Sequence, residues 1–244
     1  MIICRLALCA ALASLSFAQP SVPEIPFDSV PDFLKLPAGM NFGEVPGVAV
    51  NSMGHVFVFT RSNTAGGPAY APSAAQLFEF DASGKFLMDW GKSGDPEKET
   101  RPGYMNNVHG VAVDVQTRQV FVNDRDNHRI QVFDENGNYL REWKIAVRPS
   151  SLHLVIIGAE RTLATFDRNT HKVVKYDLDG RLLYSWGTIG DFPGTVWGVH
   201  GMATDQEGNL YVAEVDSGRF QKFRPRAGAN PATLIDKPVR AVWQ

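Results

Sequence analysis

The sequence predicts an all-β fold, a β-propeller built from four-stranded blades, and three observations carry that expectation. Asp81, Gly84 and Trp90 keep the same spacing as Asp134, Gly137 and Trp143, and as Asp177, Gly180 and Trp186. Upstream of these turns, Val56–Arg61, Val120–Arg125 and Leu163–Arg168 align without a gap, and Leu210–Val215 aligns with them. Units of about 40–50 residues with no helical period belong to propeller blades. A β-sandwich is the second choice, but nothing in it demands a repeat of this length.

Each unit has the same order of elements. First strands are read in the small apolar runs Pro46–Val50, His109–Val113, His153–Ile157 and His200–Thr204. The aligned runs rich in β-branched and aromatic residues are second strands, each closing on a polar pair. Third strands come next, at Gln76–Phe80, Arg129–Phe133, Lys172–Tyr176 and Arg219–Phe223. An Asp-x-x-Gly turn supplies a side-chain acceptor for its own backbone and a residue that tolerates positive φ, so each is a hairpin loop. Four blades result, at about 44–91, 106–144, 150–187 and 197–224. The stretch Ala232–Gln244 is expected to add an outer strand or to close the ring with the chain's lead-in.

The first eighteen residues read as a secretory signal: Arg5 as the positive start, Leu6–Leu15 as the apolar run and Ser16-Phe17-Ala18 as the cleavage site. Export to the periplasm or the medium is the expectation. Both cysteines, Cys4 and Cys9, fall in that segment, so packing or a metal must hold the rest. Residues 19–43 carry Pro20, Pro23, Pro26, Pro31 and Pro37 and read as an extended lead-in; the propeller takes 44–244. Lys plus Arg number 24 against 26 Asp plus Glu, a net charge of −2 that argues against nucleic acid as a partner. No later apolar run is long enough for a membrane-spanning helix.

Asp124-Arg125-Asp126-Asn127-His128-Arg129-Ile130-Gln131-Val132-Phe133 resembles the core of an NHL repeat, with weaker copies at Asp167–Tyr176 and Glu214–Phe223. Within NHL proteins the chain is similar to secreted bacterial relatives of peptidyl-α-hydroxyglycine α-amidating lyase. Val108-His109-Gly110-Val111-Ala112-Val113-Asp114 and Val199-His200-Gly201-Met202-Ala203-Thr204-Asp205 resemble that family's metal-histidine motif, and Gly47–Arg61 resembles the segment that ends in its catalytic arginine. The resemblance implies zinc, a calcium ion, a peptide-like carboxylate substrate and a catalytic role for Arg61. The family's six blades and its catalytic tyrosine in an Asp-Gly-Tyr turn have no full counterpart here.

Independently of any family, His109, His153 and His200 occupy one repeated position at the start of a first strand. First strands line a propeller's channel, so three imidazoles can converge there, as in an open zinc site. The alternative is that they cap strands through backbone hydrogen bonds. Arg61, Arg125 and Arg168 share the end of the second strand, on the same rim, where they hold a carboxylate or pair with local acids. His128 and His171 are read as turn residues and His55 as an exposed strand residue. Ser62–Ala75 and Gly187–Gly198 are long connections, the second bringing Phe192 and Trp197 to the rim. Two functions stand: a zinc-dependent lyase, or a non-catalytic propeller that binds a peptide, protein or glycan.

Overall fold

The computed structural model describes residues 28–40, 42, 44–61, 76–93, 100–145 and 155–238. The chain divides into Met1–Asp32, described only over 28–32, where it makes a turn, and Phe33–Gln244, which holds every sheet among the described residues.

Blade 1 comprises β1 (Glu44–Val50), β2 (Val56–Arg61), β3 (Gln76–Phe80) and β4 (Phe86–Trp90). A parallel pair, β5 (Lys92–Ser93) and β6 (Tyr104–Met105), leads out of it. Blade 2 has β7 (Gly110–Asp114), β8 (Gln119–Asp124), β9 (Arg129–Phe133) and β10 (Tyr139–Lys144). Blade 3 has β11 (Ile156–Ile157), β12 (Thr162–Asp167), β13 (Lys172–Asp177) and β14 (Leu182–Trp186). Blade 4 has β15 (Val199–Thr204), β16 (Leu210–Glu214) and β17 (Arg219–Phe223). Each blade is an antiparallel meander in chain order, and β7 runs beside both β1 and β11, so first strands face one another at the centre. The fold is the expected four-bladed β-propeller.

Burial on two faces explains the sequence of the second strands. Successive side chains in a strand point to opposite faces. Phe57 and Phe59 therefore enter a core shared with Val120, Val122 and Phe133 of blade 2, while Val56 and Val58 face Leu34, Leu36 and Phe42 of the lead-in. Phe121, Ile130 and Val132 point the other way, into a core with Leu163, Val174 and Tyr176 of blade 3. Phe166 and Val173 pack against Val199, Leu210 and Val212 of blade 4. Each fully buried Phe contributes about 1.5–3 kcal/mol, so these inter-blade cores, rather than disulfides, hold the molecule.

The hairpin turns repeat atom for atom. Oδ1 of Asp81 accepts from Ser83 N and Lys85 N, Asp134 from Asn136 N and Asn138 N, Asp177 from Asp179 N and Arg181 N, and Asp205 from Glu207 N and Asn209 N. Asn51 does the same with Met53 N and His55 N. The glycines of the third-to-fourth-strand turns have a second cause. A Cβ on Gly137 would meet the Trp90 indole at 3.0 Å, and one on Gly180 would meet Trp143 at 2.3 Å. Each tryptophan thus lies on the turn of the next blade.

The structure departs from the sequence reading in blade 4. Blade 4 has three strands among the described residues, because Pro225, Pro231 and Pro238 deny the stretch after β17 ladder donors and it turns instead through a 3-10 helix at Pro231–Thr233. In blade 3 the described part of the expected first strand pairs over Ile156–Ile157, while His153 and Leu154 lie outside the described residues.

Candidate functional site at the channel mouth

Antiparallel pairing places the end of each second strand beside the start of the first. In blade 2, Gly110 pairs with Asn123, and the His109 N–H donates to the Asn123 carbonyl at 3.3 Å. The His109 ring then has both nitrogens engaged. Arg125 Nη1 lies 2.9 Å from Nε2, and since a guanidinium only donates, Nε2 accepts. The proton is therefore on Nδ1, which donates to the Asn107 carbonyl at 2.9 Å. Asn107 holds a left-handed φ of 46° and its amide donates to Asp126 at 3.0 Å, so the acceptor itself is held.

His200, exposed at the start of β15, brings its ring centre to 6.3 Å from that of His109, at an interplanar angle of 70°. Two imidazoles from blades 2 and 4 thus converge. His153 lies outside the described residues. The Arg61 backbone ends β2 opposite Glu44, the place in blade 1 that corresponds to Asp124 and Arg125 in blade 2. Arg125 reaches His109 while its Nε keeps a local acid, Asp126, at 3.7 Å, and Asp124 pairs instead with Arg129 at 2.8 Å. Arg168 donates to Asp216 of blade 4 at 2.8 Å. Phe192 and Trp197, 60% and 40% exposed, lie in the connection that leads into His200.

Zinc can be tested against this geometry. With Zn–N at about 2.0–2.1 Å, two imidazoles on one tetrahedral ion have centres roughly 5 Å apart, so the pair is within about 1–1.5 Å of that spacing. The tautomer also fits: a metal-binding imidazole commonly donates its other N–H to a carbonyl, as His109 does to Asn107. Among the described residues no three His, Cys, Asp or Glu side chains form a cluster able to hold an ion. The described residues thus offer two imidazoles near one point, one of them with its Nε2 taken by Arg125.

His128 and His171 behave as the expected turn residues, whereas His55, expected as an exposed strand residue, precedes β2 and is half-buried because it is drawn onto Glu79. His128 and His171 take left-handed φ values of 55° and 53°, each between a second and a third strand. His55 Nδ1 lies 2.6 Å from buried Glu79, whose carboxyl is pushed up by burial, partly offset by that contact. A separate concavity of about 1210 Å³ lies between β14 and residues 224–235, and no histidine lines it. Residue types alone do not reveal Asn107, because a backbone acceptor leaves no signature in the side chain.

A family model described as the NHL repeat matches residues 105–133, which run from the approach to His109 through β9. Peptidyl-glycine alpha-amidating monooxygenase A of Xenopus laevis is 26% identical over 163 residues, covering 62% of this chain and 17% of that protein. The chain thus spans well under a fifth of that relative's length. A crystal structure of a protein from Lactobacillus plantarum aligns with a TM-score of 0.46 and 14% identity, over 74% of this chain and 55% of that one. With repeated meanders around a common centre, the chain is a four-bladed β-propeller whose second blade matches the NHL repeat.

Proposed function

We propose that the chain is an exported, zinc-dependent lyase of the amidating type, which cleaves a peptidyl-α-hydroxyglycine to a peptide amide and glyoxylate at this mouth. The convergence of His109 and His200 at 6.3 Å, with Nδ1 of His109 tied to a carbonyl, carries the reading. The similarity to an amidating enzyme supports it. A zinc ion held by these imidazoles would, when bound, acidify the carbinolamide hydroxyl. The chain's own residues supply orientation. The Asn107 carbonyl keeps the His109 ring in one tautomer, and Arg125, now donating to Nε2, must turn away for that nitrogen to serve as a ligand. Its guanidinium, with Arg61, then offers a fork to the substrate carboxylate. Loss of the hydroxyl proton and transfer of a proton to the amide nitrogen break the C–N bond, and the aldehyde carbon leaves as glyoxylate.

Metal analysis of the purified chain, together with glyoxylate release from an α-hydroxyglycine-extended peptide, tests this. Zinc near one equivalent and turnover are expected. His200→Ala should lose both, while Arg61→Ala should keep the metal and weaken substrate handling. A metal-free, inactive protein that still binds the peptide would replace the lyase with a binding propeller. Mass spectrometry of the exported protein should find it beginning near Gln19; a retained Met1 would overturn the export reading.

A further inference from the structure

One polar arrangement occurs twice in the molecule and is absent from the described parts of the other two blades. In blade 2, buried Arg129 donates from Nε to Asp124 at 2.8 Å and from Nη2 to the carbonyls of Tyr104 and Arg101 at 2.7 and 3.2 Å. Gln131 donates to the Tyr104 carbonyl and to Asp124, both at 2.9 Å, and accepts from Gly103 N at 2.8 Å. Asp124 accepts from Asn106 N at 2.7 Å. Blade 4 repeats this. Arg219 donates to Glu214 at 2.9 Å and to the carbonyls of Thr195 and Gly190 at 2.8 and 2.9 Å. Gln221 donates to the Thr195 carbonyl at 2.7 Å and to Glu214, and accepts from Gly194 N at 2.9 Å. Glu214 accepts from Trp197 N at 3.0 Å.

Apart from the Arg101 and Gly190 carbonyls, these gripped backbone atoms stand at equal distances along the chain from the two histidines. Gly103, Tyr104 and Asn106 precede His109 by the same offsets as Gly194, Thr195 and Trp197 precede His200. Blade 3 has Lys172 and Val174 at the corresponding register, and Asp167 there bonds its own turn through Asn169 N and Thr170 Oγ1. Blade 1 has Gln76 and Phe78. The grip is therefore built in the two blades whose imidazoles meet.

We infer that Arg129 with Gln131, and Arg219 with Gln221, are positioning residues for the His109–His200 pair: each grip fixes the connection that delivers one histidine to the mouth. In blade 2 the grip is out of water's reach, with Arg129, Gln131 and Asp124 2%, 0% and 0% exposed, so its hydrogen bonds resist exchange with solvent. The inference rests on the proposed zinc site for its functional meaning, while the placement of the imidazoles is measurable without any metal.

The test uses Gln131→Met and Gln221→Met, which keep the length and apolar body of the side chain and remove the amide. Thr165→Val, a buried change away from both grips, is the control. Imidazole 15N spectra at one pH should show His109 as the Nδ1–H tautomer in the wild type and in Thr165→Val. In Gln131→Met a tautomer mixture is expected, and in Gln221→Met shifted His200 signals. Zinc titration should weaken about 10–100-fold in both Gln variants and not in the control. Folded variants with wild-type imidazole spectra and wild-type zinc affinity would overturn the inference. A wild type that binds no zinc would sink the metal reading alone, since the imidazole spectra still decide the positioning. Gln221 is partly exposed, so the blade 4 variant decides the matter should the blade 2 variant fail to fold.

Discussion

At Gly180 the backbone is at φ 89° and an added methyl would stand 2.3 Å from the Trp143 indole. Two costs add there: a left-handed residue that is no longer glycine, and overpacking against a ring held by its own blade. Gly180→Ala should therefore lose about 2–4 kcal/mol of stability. Gly228 also has a positive φ, 74°, but nothing lies within 4 Å of its added methyl. Gly228→Ala should cost only about 1 kcal/mol. Thermal or denaturant unfolding of both variants separates the two costs, and equal losses would show that the indole contact contributes little.

At the scale of the hairpin, the turn aspartates make acid stability a repeated property. Hydrogen bonds from Asn209, with help from Tyr211 and two backbone amides, hold the Asp205 carboxyl down at about 2, and the Ser83 hydroxyl and the backbone amides lower Asp81. A carboxyl lowered in the folded state stabilises the fold above its ordinary value and loses that contribution as pH falls toward the folded value. Stability should then decline from about pH 4 to about 2. Asp205→Asn keeps an acceptor for the turn and removes the titration, so its stability deficit should shrink as the pH drops, which unfolding at several pH values measures. These turns were legible in the sequence because residue type alone specifies them: a short acceptor, then a residue free to take positive φ. The convergence of His109 with His200 was legible for a related reason, since equal positions in repeats become equal heights around an axis. The Arg-x-Gln pairs at 129/131 and 219/221 were present too, but an alternating polar strand reads as a solvent face until the connection it grips is seen. Arg125 read as holding a carboxylate or pairing with a local acid; its contact with His109 emerges only from the geometry, while Asp126 lies 3.7 Å from its Nε and Asp124 is taken by Arg129.

Across the whole molecule, the contribution of a repeated residue depends on the blade that comes next in the chain. Trp90 and Trp143 lie at the ends of fourth strands, and each is covered by the turn glycine of the next blade, with Phe57 and Phe133 beside the first and Phe121 beside the second. Trp186 occupies the same register in blade 3, but blade 4 has no fourth strand among the described residues to carry an equivalent turn. It meets Phe223 at 4.6 Å and remains 41% exposed. Since the loss on truncation scales with the contacts removed and with the cavity left behind, Trp143→Ala should cost about 3–5 kcal/mol and Trp186→Ala no more than about 2. Chemical denaturation of both variants checks the order. Equal losses would mean that Trp186 is covered as fully in solution as its two counterparts, by a part of the chain outside the described residues or by a second molecule. Running the Trp186 variant at two protein concentrations separates those cases, because only coverage by a second molecule makes the midpoint depend on concentration.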